Sequence, residues 1–238
     1  WTVTDSHIEY NAADTTLSVY DFDVRTASQG IHVDGMASTR AWDSIQVQLQ
    51  DVDLYYLLRF IELERALKVT GRVSGWATLY SLFSTPMFAA NLYIPDGYLN
   101  SSSLGEVSAR ATLDREQERI VIDADAVQNA RVVAHVDGQV LPSQPYWELF
   151  IHADSVDLAM VSFWTDGILN DVEGRGYGDI HVFGRRMKTW VTLDALAKDA
   201  AVTLPFTGAR YYFTDTIRMD TNSIDLDHIR LRDAEGHK

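Results

Sequence analysis

The sequence predicts a mostly β fold: an elongated antiparallel sheet with one wet face, and one or two short helices. Three observations carry that expectation. The first is alternation. Ser44-Ile45-Gln46-Val47-Gln48-Leu49-Gln50 puts Ile45, Val47 and Leu49 on one side of a strand and the glutamines on the other. Ser223-Ile224-Asp225-Leu226-Asp227 does the same with Ile224 and Leu226. Arg119 to Asp125 offers Ile120 and Ile122, and Trp190 to Leu193 offers Val191 and Leu193 more loosely. The second observation is spacing. Roughly a dozen such runs are separated by Gly, Asn, Asp or Ser clusters every 8 to 12 residues or so, the rhythm of antiparallel sheet with one wet face. The third is an internal repeat.

His32-Val33-Asp34-Gly35 returns as His135-Val136-Asp137-Gly138, and 135 minus 32 is 103. Leu17, Val19, Val24 and Ala27 align at that offset with Ile120, Ile122, Val127 and Ala130. Val52-Asp53-Leu54 returns as Val156-Asp157-Leu158, at 104. Gly71-Arg72-x-x-Gly75 returns as Gly174-Arg175-x-x-Gly178, and Gly105 matches Gly208, each at 103. Ile120, Ile122 and Val127 match Ile224, Leu226 and Leu231 at 104. The common order and offset predict repeat units 16–118 and 119–222, with a third unit beginning at 223, inside one continuous sheet. So long a period exceeds the usual solenoid unit, and stacking of unit on unit explains it best. The recurring glycines are expected at bulges, bends or close backbone approaches.

Two segments break the strand rhythm. Asp53 to Leu67 places Leu54, Leu57, Leu58 and Ile61 at helical spacing, with Asp53 as the N-cap. Tyr55, Phe60 and Leu63 make the segment apolar around most of its circumference, so it is expected against the sheet. Asp157 to Trp164 is a shorter version. Both are read as core packing rather than cofactor sites. Most of the aromatic residues in or beside strands, Tyr10, Tyr20, Trp42, Trp76, Tyr93, Trp147, Trp190, Tyr211, Tyr212 and Phe213, are likewise expected to fill the core.

The chain has 238 residues, 46% of them hydrophobic, enough for a folded domain. A formal charge of -14 argues against nucleic acid as a partner, because phosphates reward Lys and Arg. With no cysteine, thiolate metal sites, cysteine nucleophiles and disulfides are excluded. No stretch approaches the roughly 18 apolar residues of a membrane helix. The chain starts at Trp1 without a methionine and stops just after a strand-like run, so it is read as a fragment of a longer protein.

Catalytic signatures are missing: there is no GxSxG, HExxH, Walker A or Rossmann pattern, and the chain is read as a non-enzyme without cofactor or metal. Asp123-Ala124-Asp125 aims two carboxylates to one side of a strand, which a wet sheet face explains. Asp220-Thr221-Asn222 lacks the glycine and terminal glutamate of a calcium loop. The Asp-Gly after His32 and after His135 is expected in a turn. Asn100-Ser101-Ser102 fits a glycosylation sequon. Gly184-Arg185-Arg186-Met187-Lys188 is read as a solvated basic turn. An apolar sheet face needs a cover, and two helices are too few for a dozen strands, which leaves a second sheet or an apolar ligand to supply it.

The region from Pro205 to Met219, followed by Ser223-Ile224-Asp225-Leu226 and Arg232-Asp233-Ala234-Glu235-Gly236, resembles the Bacteroidetes branch of the TamB (translocation and assembly module) family in the AsmA-like superfamily. Gly208, Tyr211, Phe213, Asp215, Ile217, Ile224, Leu226, Asp233 and Gly236 stand at that family's strand and turn positions. Gly71-Arg72-Val73-Ser74-Gly75-Trp76-Ala77, Pro86 to Ala90 and Leu104-Gly105-Glu106-Val107 are similar to its glycine-rich, proline and leucine-glycine succession. The second copy departs from it with Thr189 where the offset from Pro86 lands. The resemblance implies a long, curled, taco-like antiparallel β-sheet with an apolar groove, part of a periplasmic bridge whose parent is anchored in the inner membrane of a Gram-negative bacterium. It implies phospholipid acyl chains as cargo and an outer-membrane barrel of the TamA/BamA type as partner. The groove would be lined by Ile45, Val47, Leu49, Ile120, Ile122, Val191, Leu193, Ile224 and Leu226, the apolar members of the cleanest alternating runs. The other reading is a β-rich binding or adhesion module without a lipid groove.

Overall fold

A computed structural model describes residues 1–4, 6–40, 42–60, 69–100, 102–163, 165, 168–185, 188–225 and 229–233. Its strands are β1 (Thr2–Val3), β2 (His7–Asn11), β3 (Thr16–Arg25), β4 (Gly30–Ala37), β5 (Ser44–Asp53), β6 (Val69–Thr70), β7 (Arg72–Tyr80) and β8 (Met87–Leu99). They continue with β9 (Ser102–Asp114), β10 (Arg119–Gln128), β11 (Arg131–Leu141), β12 (Tyr146–Asp157), β13 (Asn170–Arg185), β14 (Lys188–Leu204), β15 (Ala209–Met219) and β16 (Ile224–Asp225). A helix, α1 (Leu54–Phe60), follows β5, and a 3-10 helix, Leu158–Phe163, follows β12.

All sixteen strands lie in one antiparallel sheet that does not close into a barrel. Its order is the order of the chain, because short turns can only set each strand beside the last. β1 and β2 lie end to end along the free side of β3, and β6 extends the line of β7 along β8. The accessible surface is 14887 Å², against about 10,800 Å² for a compact protein of 26.8 kDa. The excess follows from an open single layer.

The same elements return in the same order. β3, β4, β5, α1, β7, β8 and β9 are followed by β10, β11, β12, the 3-10 helix, β13, β14 and β15. Backbone devices return with them. The pairing of β5 with β7 slips between Leu49 and Val52, where Asp51 has φ 53°, and that of β12 with β13 slips between Asp154 and Val156, where Ser155 has φ 74°. These bulges end the ladder and lead into the helical segments. Gly75 and Gly178 both hold φ +143°, and a Cβ there would stand 2.1 Å from the Asn91 carbonyl and 2.3 Å from the Asp194 carbonyl. Only glycine allows the next strand that close.

Each helical segment is capped as its sequence predicts. The Tyr55 N–H donates to Asp53 Oδ1 at 3.0 Å and the Ala159 N–H to Asp157 Oδ1 at 2.9 Å. The first predicted helix is described as far as Phe60, and residues 61–67 fall outside the described residues. The second is a 3-10 helix rather than a short α-helix, since six residues do not repay α nucleation; Trp164 lies outside the described residues.

The core is a chain of small clusters rather than one centre. Val19, Ala37 and Ile45 form the first, Leu49, Val52 and Val73 the second, and Ala90, Ala111 and Ile120 the third. Leu54 and Leu57 of α1 pack on the second. Phe88, Leu113, Ile122 and Val140 pack on the third, bringing Ile120 to 1% exposure with side chains from β8, β9, β10 and β11. Burial that deep under a single layer requires the sheet to curl and lean its own side chains together.

Candidate functional site

The pairing register decides which side chains share a face. Ile45, Val47 and Leu49 stand opposite Gly35, Val33 and Ile31 on β4, and opposite Leu79, Ala77 and Gly75 on β7. The same row runs on through Phe88, Ala90 and Leu92, then Ala111 and Ala109, then Ile122 and Ala124. It continues through Val136, Ile151, Ile180, Leu193 and Met219. Every strand on the pairing path from β1, with Val3, to β16, with Ile224, and β2 with Ile8, contributes an apolar side chain to that one face.

Eight of the nine sequence-predicted groove residues therefore stand on the same face: Ile45, Val47, Leu49, Ile120, Ile122, Val191, Leu193 and Ile224. Leu226 lies outside the described residues. Ile45, Leu49 and Ile120 are buried, Val47, Ile122, Val191 and Leu193 are half-buried, and Ile224 is exposed at the sheet's edge. Sequence reasoning missed Leu79, Phe88, Leu92, Leu149, Ile151 and Val182, which complete the face. Their alternation was the signal, but glycines and aromatics between them obscured it.

The opposite face is polar and carries its own transverse rows. In the second repeat Asp125, His135, His152, Asp179, Asp194, Arg218 and Asp225 are successive cross-strand partners from β10 to β16. The first repeat builds the matching row from Asp23, His32, Gln48, Trp76, Asn91 and Arg110. Each row borders an open depression: Asp137, Phe150, His152, Asp179, His181 and Asp194 help line one, and Asp23, His32, Gln48 and Trp76 the other.

Asp–His contacts recur along these rows. His135 Nδ1 lies 2.8 Å from Asp125 Oδ1, and His152 Nδ1 lies 2.8 Å from Asp179 Oδ1, while His32 Nδ1 is 3.9 Å from Asp23 Oδ2. The hydrogen bond to Asp125, with Asp123 and Asp137 nearby, raises the His135 pKa. Two rows away, Glu148 accepts Gln139 Nε2 and Tyr146 Oη, each at 2.7 Å. Those bonds hold its carboxyl below the usual range and push the Tyr146 hydroxyl up. Arg119 joins Asp114 at 3.0 Å to Gln139 at 3.0 Å. His181 stacks between Phe150 and Phe183 at centroid distances of 4.1 and 4.6 Å.

Several sequence expectations are corrected on this face. His32-Val33-Asp34-Gly35 and His135-Val136-Asp137-Gly138 are strand interiors, not turns. A Cβ at Gly35 would stand 2.3 Å from the Ser44 carbonyl and one at Gly138 2.2 Å from the Glu148 carbonyl, so close strand approach is what these glycines permit. Most of the strand aromatics do not fill the core: Tyr10, Tyr20, Trp42, Trp76, Tyr93 and Tyr212 are exposed. Trp76 shows why, standing between Gln48 and Asn91 on the wet side. Gly105 and Gly208 share an offset but not a setting, since Gly105 is inside β9 and Gly208 in the turn before β15.

The remaining motifs are local. Asp123 and Asp125 share the polar face, opposite Arg110 and Ser108. Asp220 Oδ1 accepts the N–H groups of Asn222 at 2.7 Å and Ser223 at 2.8 Å, a turn cap. Asn100 Nδ2 donates to the Met160 carbonyl, tying the β8–β9 turn to the 3-10 helix. Of the basic cluster, Arg185 ends β13 and Lys188 opens β14, while Arg186 and Met187 lie outside the described residues. Compared with family models, with curated proteins and with solved structures, the chain matches none.

Proposed function

We propose that the chain is a non-catalytic segment of a periplasmic bridge of the TamB kind. Its apolar face carries phospholipid acyl chains between the inner and outer membranes and supports outer-membrane assembly together with a barrel of the TamA/BamA type. The observation that carries this reading is the continuity of the apolar face. It crosses fourteen register-linked strands, 13 steps of about 4.8 Å, or roughly 60 Å. Among the described residues only α1 and the 3-10 helix stand outside the sheet, and α1 packs on the Leu49, Val52 and Val73 corner. Each CH₂ taken from water contributes about 0.8 kcal/mol, so an acyl chain gains on the order of 10 kcal/mol at most. A row of near-equivalent Ile, Val, Leu and Ala positions lets that chain slide, while head groups stay wet at the open side.

Exposed Trp76, Tyr93 and Phe150 on the polar face favour a second reading, a β-rich binding or adhesion module whose apolar face is covered by protein. Native mass spectrometry and solvent extraction of the purified chain separate the two, with co-purified phospholipid expected. Photo-crosslinkers at Val47, Ile122 and Leu193 are expected to label lipid, and those at Gln48, Asp123 and Thr192 are not. Val47→Asp and Ile122→Asp weaken that labelling without unfolding the chain. Labelling absent from all three apolar positions sinks the proposal.

A further inference from the structure

The histidine pair on the polar face has a geometry that neither the sheet nor an acyl-chain groove needs. His135 and His152 are direct cross-strand partners on β11 and β12. Such partners hold their Cβ atoms about 4.5–5.5 Å apart. Each ring has its Nδ1 on a carboxylate of the strand beyond, His135 on Asp125 of β10 and His152 on Asp179 of β13. The two carboxylates flank the pair from opposite sides, so both Nδ1 atoms turn outward. Nε2 lies across the imidazole ring from Nδ1, on the Cδ2 side. Each ring therefore turns its Cδ2–Nε2 edge inward, to the side of the other histidine.

The carboxylates also settle the chemistry. A carboxylate accepts, so in the neutral imidazole each Nδ1 carries the proton and each Nε2 presents its lone pair. A carboxylate behind a histidine is the arrangement that orients the ring and strengthens it as a metal ligand. Both rings are open to solvent, with side chains 38% and 65% exposed. Among the described residues no three His, Cys, Asp or Glu side chains gather around one metal position. The protein thus offers two imidazoles, with water completing the shell.

We propose that His135 and His152 form a two-imidazole site for a borderline divalent transition-metal ion such as Zn²⁺, Ni²⁺ or Cu²⁺, each ring held by its carboxylate, Asp125 or Asp179. Imidazole nitrogen suits these ions, and hard Mg²⁺ and Ca²⁺ are not expected to bind. The first repeat is an internal control. At the place of His152, 104 residues earlier, it has Gln48, and its Asp23–His32 contact is looser at 3.9 Å. His32 faces no second imidazole across the strand.

The test is isothermal titration of the untagged chain with Zn²⁺ and with Ni²⁺, read together with the nitrogen hyperfine pattern of bound Cu²⁺. One saturable equivalent and two coupled imidazole nitrogens are expected. His135→Ala and His152→Ala each abolish that equivalent, while His32→Ala and His181→Ala leave it unchanged. Asp125→Asn and Asp179→Asn weaken affinity about 10- to 100-fold. Circular dichroism of each variant establishes that the sheet is intact; a variant that loses it is replaced by His→Gln at the same position. Binding that survives the His135→Ala/His152→Ala double variant overturns the proposal, as does an absence of saturable binding to the wild-type chain.

Discussion

The two repeats agree on one face and diverge on the other. On the apolar side Ile45, Val47 and Leu49 correspond to Leu149, Ile151 and Ala153, and Ala77 and Leu79 to Ile180 and Val182. Each exchange keeps the chemistry and changes only volume. On the polar side His32 and Asp34 are kept as His135 and Asp137, but Gln48, Trp76 and Asn91 are exchanged for His152, Asp179 and Asp194, which share only solvent access with them. The strand frame depends on the apolar face and on backbone devices at fixed places: the bulges at Asp51 and Ser155, the glycines at 75 and 178, the caps at Asp53 and Asp157. The outer face carries little of the folding energy, which leaves it free to acquire aromatics in one unit and paired histidines in the other.

The largest effect that sharpens this comparison is in the apolar clusters. Ile120→Ala is expected to cost about 2–5 kcal/mol by denaturant unfolding, because Ile120 is 1% exposed among side chains from four strands. Its first-unit counterpart Leu17 is only half-buried, so Leu17→Ala must cost clearly less. Equal losses would show that the two units are packed alike after all. Next come the close approaches. Gly75→Ala and Gly178→Ala each force a strand away from a carbonyl and should destabilise by more than about 1 kcal/mol, by similar amounts. A large inequality in their melting temperatures would break the equivalence of the two bends.

The helix caps are expected to matter less: Asp53→Ala and Asp157→Ala each lose about 1 kcal/mol. The smallest effect belongs to the second unit alone. Glu148 is held below its ordinary value of 4.5 by Gln139, Tyr146 and His181, and its first-unit counterpart is Ser44. A carboxyl with a depressed folded pKa contributes stability that is complete above 4.5 and fades as pH falls from there through the lower folded value. Glu148→Gln should therefore flatten the acid side of the stability–pH curve, and Ser44→Ala should leave it unchanged. An unaltered acid limb in Glu148→Gln would assign that dependence to other carboxylates.

Much of this was legible before any coordinates. Alternation through Ile45, Val47 and Leu49 has one reading, because a strand sends successive side chains to opposite sides. The capping carboxylates were equally plain, since Asp53 and Asp157 precede apolar runs at helical spacing. What misled was local chemistry without its neighbours. Asp-Gly is a turn signal in isolation, yet Gly35 and Gly138 sit inside strands because the adjoining carbonyl leaves no room for a Cβ. An aromatic in a strand suggests core, yet Trp76 falls on the wet side by parity.

The sequence by itself determined the strand content, the repeat spacing and the apolar side of each strand, because period and composition are local properties of the chain. Only the tertiary structure decided how those sides join. Register aligns Ile45, Ile122 and Leu193 across eight strand-to-strand steps into one continuous face, and that alignment lies in hydrogen bonds between segments far apart in sequence. The same register sets His135 beside His152 and gives each its carboxylate, a neighbourhood that no spacing along the chain encodes.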